Sequence, residues 1–253
     1  MTKVVKKVGI ITPEWPAPEN VRAAITTRIG GASQPPYNSF NLATHVGDDR
    51  ANIDINRRQL RQQLNLPSEP QWLNQTHGVE VLAAQTDGVI RDADGCFSHQ
   101  PKKICLVQTA DCLPVLLCNR EGTEVAAIHA GWRGLAAGIV AKGVATFTSN
   151  QLMAYLGPAI SQAHFEVGAD VLNAFLQRSD NFLGSAAIVE CFHQTDEQHW
   201  MADIYGLARL SLQACGVTDI FGGEYCSYAD RERFYSYRRD GVTGRMATLI
   251  WRQ

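Results

Sequence analysis

The stretch from Ile104 to Gly138, ICLVQTADCLPVLLCNREGTEVAAIHAGWRGLAAG, constrains the fold more than any other part of the chain. Two apolar runs, Val115–Cys118 and Glu124–His129, flank the polar segment Asn119-Arg120-Glu121-Gly122-Thr123, which reads as a hairpin turn. With Glu121-Gly122 at its centre, His129 falls opposite Pro114 and Cys112 opposite Gly131. Cys112 and His129 then share one face as diagonal neighbours, their backbones about 7–8 Å apart, so that both side chains reach a common atom. A loop of odd length would place them on opposite faces. Two chemistries suit such a pair. One is a nucleophilic thiol with an imidazole base; the other is two ligands of a soft metal that needs a third donor. His77 ends the polar run before Val79–Ala83 and is the candidate third ligand. Three protein ligands leave tetrahedral zinc an open position, as in catalytic rather than structural sites.

The rest of the chain reads as mixed α/β. Strand-like runs are Val21–Thr27, Val79–Ala83, Ile104–Thr109, Val115–Cys118, Glu124–His129, Met153–Leu156, Ala187–Phe192 and Met246–Trp251, rich in Val, Ile and Leu. Helical spacing occurs over Asp49–Leu66, which Pro67 ends, over Leu135–Phe147, over Val167–Leu176 and over Ile204–Cys215, which leads to Gly216 as a cap. Strands outnumber helices and do not alternate strictly with them, which disfavours a doubly wound parallel sheet. No repeat, low-complexity tract or Gly/Ser-rich linker divides residues 1–253, so a single domain is expected.

Charge narrows the function. The 253 residues carry 23 Lys plus Arg against 25 Asp plus Glu, a formal charge of −2, without the basic excess of a phosphate-neutralising nucleic-acid binder. No apolar run reaches the roughly 18–20 residues that span a bilayer, and prolines interrupt the N-terminal region where a signal peptide would need an apolar stretch. A soluble cytoplasmic protein without membrane partners is the expectation. The seven cysteines include no CxxC and are read as reduced thiols, most of them small buried hydrophobes.

Three motifs, NQTHG at 74–78, QTADCLPVL at 108–116 and HAGWRG at 129–134, resemble the hallmarks of the YfiH family, also called the laccase-domain or polyphenol-oxidase family. The likeness runs from TTRIGGASQPPYNSFNLATHVGDD through LGPAISQAHFEVG to FYSYRRDGVTGRMATLIW, essentially the whole chain in family order. The resemblance implies an αββα four-layer domain with mixed sheets and a mononuclear zinc held by His77, Cys112 and His129. It implies phosphorolysis of adenosine, inosine and S-methyl-5′-thioadenosine, with purine nucleosides and phosphate as the partners and adenosine deamination as a second activity. Copper is a second candidate metal, since Cys/His sites accept both. A multicopper centre is disfavoured: of the seven histidines only His45, His77 and His129 fall in the recognised motifs.

Other residues acquire expected roles from this chemistry. Hydroxide attack on adenine needs a proton carrier, and Asp111 is the candidate if TADC is a loop rather than a strand, where neighbours point apart. HAGWRG runs from a strand end towards a helix, so its backbone N–H groups and Arg133 could meet an anion, against the plainer reading of a tight turn with a solvated arginine. Arg28, beside Gly30 and Gly31, is a second candidate cation; Asn41 and His45 share the following loop as candidate ribose or base contacts. Arg239 and Arg245, with Arg238, form a candidate phosphate grip that competes with a surface salt-bridge reading. Tyr37 and Phe234 suit purine stacking or, more simply, core packing. Three other functions fit parts of the pattern: a metal-independent cysteine amide hydrolase editing peptidoglycan precursors, a copper-dependent phenol oxidase, and a non-catalytic partner-binding protein.

Overall fold

The computed structural model of the chain describes residues 7–177 and 184–253. Two strands, β1 (Ile10–Ile11) and β2 (Val21–Thr26), precede helix α1 (Arg50–Gln63), which Asp49 caps by accepting the Ala51 N–H at 2.9 Å. Four short strands follow, β3 (Leu73–Asn74), β4 (Val81–Ala83), β5 (Arg91–Asp92) and β6 (Gly95–Ser98). Then come β7 (Ile104–Thr109), β8 (Leu113–Asn119) and β9 (Val125–Ala130), with helices α2 (Trp132–Ala137) and α3 (Ile139–Val144). Strands β10 (Leu152–Leu156) and β11 (Glu166–Gly168) lead to α4 (Ala169–Leu176) and, after it, α5 (Ser185–Glu190). The order closes with β12 (Phe192–Gln194), β13 (His199–Ala202), α6 (Ile204–Ala214), β14 (Asp219–Gly222), α7 (Tyr237–Asp240) and β15 (Met246–Arg252).

Two sheets stack at the centre. One is antiparallel in the order β1-β2-β15-β7; the other is mixed, β14-β10-β8-β9-β6-β4. Because strand side chains alternate, each central strand feeds two cores. Ile25, Val107 and Ile250 of the first sheet meet Leu116, Ala127 and Tyr155 of the second. On the far side of the first sheet, Leu106, Leu249 and Trp251 pack against Leu60 of α1 and against Phe40 and Leu42. On the far side of the second, Leu117, Ile128 and Ala154 pack against Leu135, Ile139, Leu207 and Leu212 of the helices. The layers therefore run helix, sheet, sheet, helix, the expected mixed αββα arrangement. Every residue of β7, β8 and β9 is buried, which is why these strands read as continuous apolar runs instead of alternating ones. Each such Leu, Ile or Val contributes about 1.5–3 kcal/mol on leaving water.

The hairpin forms in the expected register, with Leu113 paired to Ala130 and Pro114 to His129. Elsewhere the structure departs from the sequence reading. Ala187–Phe192 is not a strand: residues up to Glu190 belong to α5, and β12 starts only at Phe192. A short apolar run does not distinguish a strand from a helix turn by periodicity, and here only Ile188 of α5 is buried. The helix expected over Leu135–Phe147 is two helices, because Gly138 adopts φ 90° and ends α2 where α3 begins. The helix expected from Val167 begins at Ala169, after β11. Among the described residues no helix is long and apolar enough to cross a membrane.

Candidate metal centre

Three chain segments converge at one end of the paired sheets. The NQTHG loop leaves β3, whose Asn74 pairs with Asp92 of β5 in both backbone register and a 2.8 Å side-chain hydrogen bond. Gln75 ties the loop to β7: its amide donates to the Gln108 carbonyl at 2.8 Å and accepts the Gln108 N–H at 2.7 Å. His77 takes φ 61°, turning the chain sharply. Cys112 immediately precedes β8, in the TADC segment outside the strand, and the residue before it, Asp111, has φ 89°. His129 lies on β9.

Asp94 locks these pieces together. It precedes β6, where its own N–H donates to the Glu80 carbonyl at 2.9 Å. Its carboxylate accepts the backbone N–H groups of Thr76 at 3.2 Å, His77 at 2.9 Å and Gly78 at 2.7 Å. The same carboxylate accepts from Nδ1 of His129 at 2.8 Å. With Nδ1 engaged, Nε2 is the nitrogen that His129 offers to the site.

The ligand atoms of His77, Cys112 and His129 all lie within 4.8 Å of one another, and Cys112 Sγ is 3.7 Å from His77 Nε2. The two imidazoles meet edge to face with centroids 4.8 Å apart. Gly131 completes the cradle: a Cβ there would stand 2.8 Å from His77 Cδ2 and 3.1 Å from Cys112 Sγ. One thiolate, two imidazoles and a carboxylate behind one of them are the donor set and outer support of a divalent transition-metal site. Among the described residues this is the one group of three or more His, Cys, Asp or Glu side chains that could hold an ion.

The electrostatics agree with that chemistry. Burial pushes the Cys112 thiol up, but the imidazoles of His129 and His77 outweigh it and bring it down to about 6. Burial opposes the charge on His129, while Cys112 and Asp94 favour it and raise the imidazole to about 9. Burial likewise works against the Asp94 carboxylate, yet His129 and the Gly78 and His77 N–H groups hold it at about 2.

A cavity of about 380 Å³ opens on the triad and is lined by His45, Gln75, Gln108, Thr109, Ala110, Tyr237 and Arg245 as well. That volume is in the small-ligand range. Arg245 directs Nη1 to the carbonyls of Thr243 and Gly244, and its backbone N–H donates to Asn41 Oδ1 at 3.0 Å. Burial, then the charges of Arg245 and Arg57, lower the pKa of His45 and favour its neutral form. Gln108 is 6% exposed, and its Nε2 has no partner among the described residues. Tyr237 stands at the cavity rim, 61% exposed.

Of the residues singled out from sequence, the structure thus gathers His45, His77, Cys112, His129 and Arg245 at one cavity. The others lie elsewhere. Asn41 is fully buried and works behind Arg245, its amide donating to the Ala43 carbonyl and to Asp48. Arg28 lines a separate cavity of about 740 Å³, its guanidinium donating to the Asn38 and Arg231 carbonyls. Arg133 is exposed on α2 and stacks over Trp132 at 4.3 Å. Arg239 is consumed by Asp240 and by the carbonyls of Ser227, Tyr228 and Phe234. Phe234 is fully buried and Tyr37 donates its hydroxyl to the Val46 carbonyl. The carboxylate of Asp111 accepts from Ser227, Ser236 and the Arg238 N–H. Sequence reasoning missed Asp94, Gln75, Gln108 and Tyr237. Gln75 and Gln108 lie inside two of the quoted motifs, a usable signal; nothing local marks Asp94.

A profile of the family described as multi-copper polyphenol oxidoreductase laccase matches residues 22–253. The chain is 48% identical to the purine nucleoside phosphorylase YfiH of Escherichia coli over 245 residues, covering 96% of this chain and 98% of the relative. It is 47% identical to a purine nucleoside phosphorylase of Pseudomonas aeruginosa over 249 residues, with the same coverage. Among solved structures, a Neisseria meningitidis protein superposes with a TM-score of 0.91 at 47% identity, covering 97% of this chain and 99% of that one. YlmD from Geobacillus stearothermophilus superposes with a TM-score of 0.84 at 28% identity, covering 93% of each.

Proposed function

Because the chain belongs to the YfiH family, covered by the multi-copper polyphenol oxidoreductase laccase profile, we propose that it is a zinc-dependent purine nucleoside phosphorylase. The observation that carries the reading is a thiolate and two imidazoles, all within 4.8 Å, opening on a cavity that also presents Arg245. Its substrates are adenosine, inosine and S-methyl-5′-thioadenosine, with adenosine deamination as a second activity of the same cavity. His77, Cys112 and His129 hold the ion. When bound, the ion supplies a Lewis acid for a substrate oxygen.

The chain's own groups do the remaining work. Phosphorolysis breaks the bond from the anomeric carbon to the base and joins that carbon to a phosphate oxygen, so phosphate must be held beside the sugar. Arg245, already oriented by two carbonyls, is the cation for that anion. The partnerless Gln108 amide supplies an N–H donor for an acceptor on the purine, and Tyr237 offers a ring for the base to stack on. Neutral His45 can accept a ribose hydroxyl proton in a hydrogen bond. Single-ion chemistry suits the donor set better than a multicopper array, because the described residues hold one such cluster.

A thiolate beside an imidazolium is also what a cysteine amide hydrolase presents, and one experiment separates the two. Elemental analysis of the purified protein is run beside an assay for ribose 1-phosphate and inosine, with and without a chelator. Zinc near one equivalent and phosphorolysis that vanishes on chelation and returns with zinc support the proposal. Activity that survives metal removal but is blocked by iodoacetamide supports the hydrolase, and oxygen consumption tracking bound copper supports the oxidase.

A further inference from the structure

Two residues of the C-terminal segment, Tyr237 and Arg245, line the cavity, and hydrogen bonds tie that segment to Asp111, the residue before Cys112. Asp111 lies between Ala110, which lines the cavity, and Cys112. Its Oδ1 accepts from Ser227 Oγ at 2.6 Å; its Oδ2 accepts from Ser236 Oγ at 3.0 Å and from the Arg238 N–H at 2.7 Å. Its backbone carbonyl takes the Ile160 N–H at 3.0 Å. Both oxygens are therefore occupied by donors, and Ser227 and Ser236 are themselves fully buried. Ser236 caps α7, and the residue between the two Oδ2 donors is Tyr237, the exposed ring at the cavity rim. A carboxylate so engaged is poorly placed to carry protons, and well placed to fix where that ring stands.

We propose that Asp111 is a positioning residue, a latch that holds Tyr237 as the purine-facing wall of the cavity at a set distance from the His77–Cys112–His129 centre. The proposal rests on the reading of the cavity as a nucleoside site. It explains the backbone as well: φ 89° aims the carboxylate away from the strand and towards the C-terminal segment, and Asp, Asn and Gly are the residues that tolerate such a conformation.

That tolerance supplies clean variants. Asp111→Gly removes the carboxylate without adding backbone strain. Asp111→Asn keeps an oxygen for Ser236 and Arg238, and the Ser227 hydroxyl can rotate to accept from the new amide; it keeps the latch and loses the titratable proton. The experiment measures kcat and KM for adenosine, bound zinc, and amide hydrogen exchange across residues 234–241. Asp111→Gly is expected to retain zinc, raise KM about tenfold or more with kcat within about threefold, and speed exchange in that segment. Asp111→Asn restores all three towards wild type. Tyr237→Ala raises KM comparably, and Asp111→Gly/Tyr237→Ala is no worse than the poorer single variant, since both remove one contact.

An Asp111→Asn variant with collapsed kcat and unchanged KM would overturn the latch in favour of a proton carrier. Penalties that multiply in the double variant would show that Asp111 does not act through Tyr237. If Asp111→Gly fails to fold, Ser227→Ala removes one donor to the carboxylate, leaves the Ser236 cap of α7 in place, and must still raise KM and exchange; no change in either overturns the proposal. Wild-type protein that releases no ribose 1-phosphate would instead remove the nucleoside reading, and the exchange measurement would still decide whether Asp111 holds the segment.

Discussion

Asp94 holds His129 at two points: its backbone carbonyl accepts the His129 N–H at 2.7 Å, and its carboxylate accepts from the ring Nδ1 at 2.8 Å. Since the same carboxylate receives the His77 backbone N–H, one acidic residue orients the His129 ring and anchors the backbone that carries His77. Asp94→Ala should therefore weaken zinc binding about 10–100-fold, the usual cost of losing an outer partner, measurable by competition with a chromophoric chelator. It should also lower stability, because the backbone N–H groups of residues 76–78 lose their charged acceptor. Asp94→Asn, which keeps an acceptor, should lie between. Unaltered zinc affinity in the alanine variant would show that the two histidines do not depend on it.

Metal affinity should rise with pH. In the metal-free protein His129 keeps its proton up to about 9, because Cys112 and Asp94 favour the charged ring against the effect of burial. The Cys112 thiol, brought down to about 6, is already a thiolate through neutral pH. Zinc must then displace one proton from His129 between about pH 6 and 9, so its apparent affinity should climb about tenfold per pH unit across that window and level off above it. For folding of the metal-free protein the sign follows from the same shifts. His129, raised above its ordinary 6.5, contributes stability that is complete below pH 6.5 and lost through about 9. Calorimetric titrations in buffers of different ionisation enthalpy read the proton released; zinc binding with no proton release at pH 7 would contradict the assignment.

Much of this site is legible in the sequence, for a definite reason. Two apolar runs around a short polar turn fix a register, and register fixes faces, so Cys112 and His129 are juxtaposed before any tertiary contact is known. His77 is legible as the end of a polar run and as part of a motif, but its place beside Cys112 is not, since its loop is tied down by Gln108 and Asp94, distant in sequence. The arginines show the converse. Arg28, Arg133, Arg239 and Arg245 look equivalent in sequence, yet only Arg245 reaches the cavity. Arg239 is drawn into a network of carbonyls that the chain creates by folding back on itself near α7. The Ala187–Phe192 run reads as a strand in sequence and is mostly helix in the structure for a different reason: six apolar-biased residues are too few for a period to declare itself.

Gly131→Ala tests the cradle with one methyl group. The added Cβ would sit 2.8 Å from His77 Cδ2 and 3.1 Å from Cys112 Sγ, closer than side chains in the site can accept without moving. Backbone strain is not at issue, because Gly131 has φ −61°. The variant should fold, with a far-ultraviolet circular dichroism spectrum like that of wild type, yet bind zinc at least about tenfold more weakly, as expected when a ligand is forced from its geometry. Full zinc occupancy after dialysis against a mild chelator would mean that the ligands converge less tightly than the distances indicate.

Arg245 offers the sharpest separation of phosphate from nucleoside binding. Its guanidinium lines the cavity, while its backbone N–H, bonded to buried Asn41, holds its loop in place by a contact that a side-chain substitution leaves intact. Charge-assisted hydrogen bonds to phosphate are worth about 1.5–3 kcal/mol, so Arg245→Ala should raise the KM for phosphate by about 10–150-fold. The KM for adenosine at saturating phosphate should change by less than about threefold, because uniform binding lost on one substrate need not touch the other. Arg245→Lys should recover only part of the loss, since an ammonium keeps the charge and lacks the planar fork. Raised ionic strength should narrow the difference between the variants little, as a partly buried cation is weakly screened. An Arg245→Ala enzyme with an unchanged phosphate KM and a raised adenosine KM would move this arginine from the phosphate to the nucleoside.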